Sequence, residues 1–241
     1  MKKFFVVVIT ITLVFAALIY FVFTYGTEWL SGVVADVIPY EVEKSLGAST
    51  LESMDAQSFE HSSLPVFTQN KIKNQFYKIF QKDSNDVHLL FRNASYPNAF
   101  ALPGNYIVIL DSLVKMSEDT LHYADVMGVL AHEAGHLHYK HSLKLMIKAG
   151  LTGAIVGYFI GDFSSFVATV THQLLSLSYS RNYEEQADDF AINVLYQSQI
   201  STKPLAHLLQ KISQLNNESE IPEFLSTHPV TEERIKKLEG R

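Results

Sequence analysis

Residues 182–197, NYEEQADDFAINVLYQ, read as an amphipathic helix whose apolar stripe is Ala187, Phe190, Ala191, Val194 and Leu195. Glu184 and Asp188, spaced i and i+4, fall on that same stripe. A carboxylate on a buried face is costly unless it is paired or bound to a cation. An acidic first turn would suit the helix dipole and account for Glu184 and Glu185. It does not account for Asp188, a turn further in. The chain therefore has to bring a cation to this helix from elsewhere.

The stretch VLAHEAGHLHYKH, residues 129–141, offers the means. His132 and His136 are also i and i+4, so on a helix both imidazoles point from one face toward one place. Two histidines in the pattern H-E-x-x-H are the usual zinc pair, with the glutamate between them placed to act as a base. His138 and His141 fit less well. At 100° per residue they lie about 200° and about 140° around an unbroken helix from His136, so neither can share its metal. Both are read as surface or packing residues. A third ligand must come from another helix, and Glu184 is the candidate. The expected centre is one zinc ion held by His132, His136 and Glu184. Asp188 is expected to accept a hydrogen bond from the far nitrogen of a ligating histidine, and Glu133 to serve as general base.

The remaining elements supply a scaffold for two such helices. Residues 63–82 repeat Ile72, Phe76, Ile79 and Phe80 at helical spacing, and 40–54 does so more weakly with Val42, Leu46, Leu51 and Met54. VHLLFR at 87–92 is rich in strand formers, and NAFALPGNYIVIL at 98–110 predicts two strands broken by a Pro-Gly turn. Helices are also predicted at 123–140, 203–215 and 231–240. Helices around one small sheet make an α+β domain.

The N-terminus imposes a different constraint. FFVVVITITLVFAALIYFVF, residues 4–23, is uninterrupted and uncharged after MKK. Twenty residues rise about 30 Å, the thickness of a bilayer's hydrocarbon core. The run is longer than the apolar region of a cleaved signal, so it is read as a retained single-pass anchor. Lys2 and Lys3 before it, with Glu28 and Asp36 after it, place the N-terminus in the cytoplasm and the rest outside. The expected divisions are 1–3 cytoplasmic, 4–25 transmembrane, 26–62 a juxtamembrane helical segment, and 63–241 the zinc domain. Within the last, the apolar stretch 149–180 predicts a helical hairpin or lid. A net charge of −6 without basic clusters argues against nucleic acid as partner. The absence of cysteine excludes disulfides, thiolate ligands and a thioether lipid.

VLAHEAGHLHYKH, SRNYEEQAD, NAFALPGNYIVI and THPVTEERIKKL, taken together and in this order, resemble the membrane-associated zinc metallopeptidases of the gluzincin type. That family includes the heat-shock protease HtpX, the CAAX prenyl protease and the periplasmic protease BepA. The resemblance covers roughly residues 60–240. It implies a zincin-like fold, His132, His136 and Glu184 as zinc ligands, Glu133 as base and Asp188 as their support. It further implies that His228 lies near the metal, either stabilising the oxyanion or blocking the ion, with Tyr183 and Arg181 as lesser candidates. The second strand of NAFALPGNYIVI would form an edge near the metal, with Asn98 and Ala99 touching substrate. The expected function is a membrane-anchored endopeptidase using a zinc-activated water, cutting unfolded, membrane or exported polypeptides in envelope quality control. The alternative is a chaperone-like binding protein that keeps a closed, silent zinc site.

Overall fold

The computed structural model describes residues 2–21, 25–80, 87–117, 123–160, 178–215 and 227–240. The described residues form two compact units. One comprises 2–38 with 144–160, and the other 39–143 with 178–240. The division falls at Pro39, ahead of the expected domain start at 63, because helix α3 (Tyr40–Gln57) packs on the sheet. A Cβ added at Gly47 of α3 would sit 1.8 Å from the carbonyl oxygen of Pro103.

The second unit is built on a four-stranded mixed sheet in the order β1-β2-β4-β3. Its strands are β1 (Glu60–His61), β2 (His88–Asn93), β3 (Ala99–Leu102) and β4 (Tyr106–Leu110). β2 and β4 run parallel, while β3 returns antiparallel through the expected Pro-Gly turn. Gly104 and Asn105 take φ of 75° and 63° there, conformations that favour glycine and asparagine. The order corrects the expected edge. β4 lies between β2 and β3, and β3 is an edge strand, with β1 at the other edge. The physical reason is that β4 is buried on both faces, Ile107 and Ile109 on one side and Val108 and Leu110 on the other.

Ile107 and Ile109 join the main core with Ile72 and Phe76 of α4 (Val66–Ile79) and Val126, Met127 and Leu130 of α6 (Ala124–His138). Ala191, Ile192 and Leu195 of α8 (Arg181–Gln197) and Leu205, Leu208 and Leu209 of α9 (Lys203–Leu215) complete it. Val108 and Leu110 face a smaller cluster with Met54, Phe59 and Phe100. The helix α5 (Asp111–Met116) and the two-residue β1 were not foreseen. They are joined by Asp111, which accepts hydrogen bonds from Ser62 Oγ at 2.7 Å and from Ser63 N at 2.6 Å. The last helix, α10 (Glu232–Glu239), is capped by Thr231, whose side chain accepts from Arg234 N.

The first unit holds α1 (Lys2–Phe21), α2 (Thr27–Val37) and most of α7 (His141–Ile160). Among the described residues no helix is long and apolar enough to cross a membrane. The described residues thus show no membrane span over the expected 4–25. The apolar part of α1 runs from Phe4 to Phe21, about 27 Å of rise. Residues 22–24 lie outside the described residues, as do 161–177 of the expected hairpin. Its first part, 149–160, is the end of α7.

Candidate metal centre

Helices α6 and α8 make the most extensive helix–helix contact in the described chain. Gly135, inside HEAGH, permits it: a Cβ there would lie 2.9 Å from Ala187 Cα and 3.0 Å from its carbonyl oxygen. The two helices thus cross with their backbones nearly touching, and His132 and His136 face Glu184 across the gap. α8 starts from Ser180, whose hydroxyl accepts from Tyr183 N and sets the first turn on which Glu184 sits.

His132, His136, Glu184 and His228 each present one donor atom, all within 4.8 Å of one another and all buried. His132 Nε2 lies 3.4 Å from Glu184 Oε2, and His136 Nε2 lies 3.4 Å from Glu184 Oε1. The two Nε2 atoms are 3.0 Å apart. His228 Nδ1 lies 3.0 Å from Glu184 Oε1 and 3.4 Å from His132 Nε2. Tetrahedral zinc with bonds of about 2.1 Å separates its ligand atoms by about 3.4 Å. These spacings, and a donor set of imidazoles and one carboxylate, fit that ion.

Around this set the chain supplies an ordered surround. His132 Nδ1 lies 2.9 Å from Asp188 Oδ1, the relation expected for Asp188. Arg234 of α10 holds Asp188 by two hydrogen bonds, Nε to Oδ2 at 2.7 Å and Nη2 to Oδ1 at 2.9 Å. Its Nη1 pairs with Glu184 Oε2 at 2.6 Å and donates to the Pro229 carbonyl at 2.8 Å. Glu133 is fully buried, with neither oxygen hydrogen-bonded to a side chain, and His228 Nε2 stands 3.5 Å from its Oε1.

The electrostatics follow from burial working against dense charge. Burial disfavours protonated His132, but Glu184 and Asp188 overcome it and lift its pKa to about 10. At His136 burial dominates and, with charged His132 so near, holds the pKa well below the ordinary value. Burial likewise opposes the Glu184 carboxylate, yet His228 and His132 keep it well below the usual range. Glu133 goes the other way: burial raises it more than His228 and His132 lower it, and the Ala101 backbone lowers it further.

Several side chains at the centre had no part in the expected site. Arg234 is one, and the only signal for it was a basic residue on the apolar side of α10 beside Leu238. Tyr179 is another, stacking on His136 at 4.0 Å and sharing a 2.8 Å hydrogen bond with Ser142. Burial raises its hydroxyl pKa. His141, expected as a surface or packing residue, is fully buried. The helix assumed to be unbroken ends at His138, and Lys140 at φ 54° turns the chain so that His141 comes back beneath His136. His138 stays exposed. Tyr183 stacks on His141 at 4.1 Å, and Arg181 lines a cavity of about 200 Å³ beside Glu184 and Arg234.

Asn98 and Ala99 are 2% and 0% exposed. Asn98 Oδ1 accepts from Ala99 N at 2.9 Å, and the Asn98 carbonyl accepts from Leu110 N. Ala101, two residues on, is the β3 residue whose backbone reaches the centre. Ser142 Oγ donates to its carbonyl at 2.6 Å, and its backbone bears on Glu133.

Among known proteins, metalloprotease LoiP of Escherichia coli (strain K12) is 29% identical over 151 residues, 60% of this chain and 58% of LoiP. Mitochondrial metalloendopeptidase OMA1 of Saccharomyces cerevisiae is 26% identical over 219 residues, 82% of this chain and 63% of OMA1. The beta-barrel assembly-enhancing protease of Escherichia coli (strain K12) is 29% identical over 193 residues, 73% of this chain and 39% of that protein. The chain thus spans less than two thirds of each of these relatives. Residues 69–241, which include most of α4, the three larger strands and every residue of the centre, match the model of peptidase family M48, and the chain belongs to that family.

Proposed function

We propose that this chain is a zinc-dependent endopeptidase, with His132, His136 and Glu184 as the ligands and Glu133 as the general base. The observation that carries the reading is the spacing of about one tetrahedral edge among the three donors, beside a buried carboxylate left without a side-chain hydrogen bond. When bound, zinc lowers the pKa of a water and polarises a carbonyl. Everything else is done by the chain. Glu133, its pKa raised by burial, takes a proton from the attacking water and returns it to the leaving amine. Asp188, clamped by Arg234, holds the ring of His132. His228, buried between Glu133 and Glu184, is placed to donate to the oxyanion. The substrate backbone lies along the edge of β3, adding a strand by main-chain pairing.

Unfolded, membrane and exported polypeptides of the cell envelope are the proposed substrates. The relatives, a beta-barrel assembly-enhancing protease among them, support that choice. Membrane attachment is part of the reading. Phe4, Phe5, Ile11, Leu13, Val14 and Phe15 of α1 are all more than 60% exposed, an apolar surface that lipid covers at far less cost than water. The run continues in sequence through Phe23. Lys2 and Lys3 set the N-terminus in the cytoplasm and the centre outside.

Purified protein is expected to carry about one zinc per chain, to cut casein, and to be stopped by a small hydroxamate. Casein left intact by the zinc-loaded chain defeats the peptidase reading. A second reading has one observation behind it: His228 Nδ1 already sits at ligand spacing from His132 and Glu184. Four protein donors would close the centre as in structural zinc sites, leaving a binding protein. A hydroxamate that never reaches the metal would select that reading.

A further inference from the structure

We propose that His141 and Gln186 are positioning residues that fix the ring of His136 as a metal ligand, through a two-bond relay running away from the centre. The proposal rests on the metal reading above and assigns a task to two residues that reading leaves idle.

His136 points Nε2 into the donor set, and its Nδ1 lies 3.0 Å from Nδ1 of His141. His141 Nε2 lies 3.0 Å from Gln186 Oε1. His141 is fully buried and held flat against Tyr183, with ring centroids 4.1 Å apart and planes 10° apart. It reaches that place only because Lys140 adopts a left-handed conformation between α6 and α7. The far end of the relay, Gln186, is on α8, two residues beyond Glu184.

The hydrogen-bond directions follow from a single requirement. A histidine that offers Nε2 to a metal must carry its proton on Nδ1. Nδ1 of His136 then donates to Nδ1 of His141, which must be the accepting nitrogen. His141 therefore carries its proton on Nε2 and donates to the amide oxygen of Gln186. Turning that amide over reverses every step. An amide nitrogen facing His141 would leave Nδ1–H directed at His136, and the His136 proton would move to Nε2, where the metal is held. The orientation of one glutamine amide on α8 thus sets whether a ring on α6 is ready to bind. The two histidine ligands are backed differently: His132 by a carboxylate under Arg234, His136 by a chain of neutral groups.

The test compares the zinc affinity and cobalt absorption spectrum of the full-length chain with those of three variants. Affinity is read by competition with a chromophoric chelator. His141→Phe keeps a flat ring over Tyr183 and removes the acceptor; zinc affinity should fall about 10–100-fold and the cobalt band should shift. His141→Asn puts an amide oxygen near the former Nδ1 position and should return the affinity to within about threefold of wild type. Gln186→Leu should weaken zinc in the same direction by less. Gln186 is only half-buried, so this variant decides the matter if His141→Phe fails to fold. Thermal unfolding of the metal-free proteins reports any damage to the scaffold. The relay is overturned if His141→Phe or Gln186→Leu folds, binds zinc as wild type does, and leaves the cobalt spectrum unchanged. A wild-type chain that takes up no zinc overturns the metal reading itself, and this proposal with it.

Discussion

Helix α2 buries Thr27, Ser31 and Ala35 and leaves Trp29 and Val37 70% and 72% exposed, with Val33 between them. Helix α8 buries Glu184 and Asp188 beside Ala187, Ala191 and Leu195 and turns Glu185 and Asp189 outward. Each helix breaks the rule that large apolar side chains go in and polar ones stay out, and they break it in opposite ways. On α2 the exception is outside: a row of apolar side chains at i, i+4 and i+8 faces the surroundings. On α8 the exception is inside: two carboxylates are surrounded by core. An exposed apolar row costs little where lipid replaces water, and buried carboxylates cost little where cations meet them. The comparison teaches that a helix face reports its neighbours: on α8 these are a charged centre, and on α2 the membrane-attached reading would make them lipid.

The largest expected effect tests the inside of α8's partner. Glu133→Gln should cut casein hydrolysis about 10²–10⁴-fold while zinc content stays unchanged, read by turnover and metal analysis. Loss of zinc along with activity would mean that Glu133 belongs to the ligand set. Arg234→Met should destabilise the metal-free protein by about 3–5 kcal/mol in denaturant unfolding, because it leaves Asp188 and Glu184 buried without their cation. Lys148→Met removes the partner of Glu28 in the other unit, a pair in which both side chains are more than a third exposed. It should cost about 0–1 kcal/mol. Equal effects from these two variants would erase the distinction drawn between the regions.

Gly135→Ala should cost about 1–3 kcal/mol by forcing α6 and α8 apart, and should weaken zinc binding because Glu184 moves with α8. An acid titration gives a comparable increment. Burial opposes the Asp188 carboxylate, but hydrogen bonds from His132 and Arg234 prevail and hold its pKa at about 2, below the ordinary 3.8, so its charged form is favoured by folding. That contribution, about 2 kcal/mol, is complete above pH 4 and is lost as pH falls from 4 toward 2. Asp188→Asn should flatten that part of the pH–stability curve. The smallest effect on folding belongs to α2. Trp29→Ser with Val33→Ser should change stability by less than about 0.5 kcal/mol yet reduce cosedimentation with phospholipid vesicles. Unchanged vesicle binding would break the lipid half of the comparison.

Most of the scaffold was legible because its signals are local. Ile72 and Phe76 repeat at helical spacing, and the Pro103–Gly104 turn marks two strands by its chemistry alone. The juxtaposition of His132, His136 and Glu184 was legible for a related reason: two helices with potential ligands on one face each leave few ways to satisfy a buried carboxylate. The exchange of β3 for β4 as the edge was not legible, because both strands are apolar and pairing order depends on which faces the helices cover. Which of its two expected places His141 takes, surface or packing, turned on one backbone angle. With Lys140 helical it would lie far around from His136, and with Lys140 left-handed it meets the back of that ring. Arg234 gave almost no signal, since an arginine on a short charged helix ordinarily faces solvent.

The sequence by itself determined which side chains could not be left alone. Carboxylates on an apolar stripe and a long uncharged run each carry a desolvation or exposure cost that composition and spacing already reveal. Only the tertiary structure decided who meets them. Arg234, His141, Gln186 and Ala101 reach the centre through a helix crossing at Gly135, a left-handed residue at Lys140 and the pairing order of a sheet. Those depend on contacts between residues far apart in the chain, for which no local pattern of residues carries a signal.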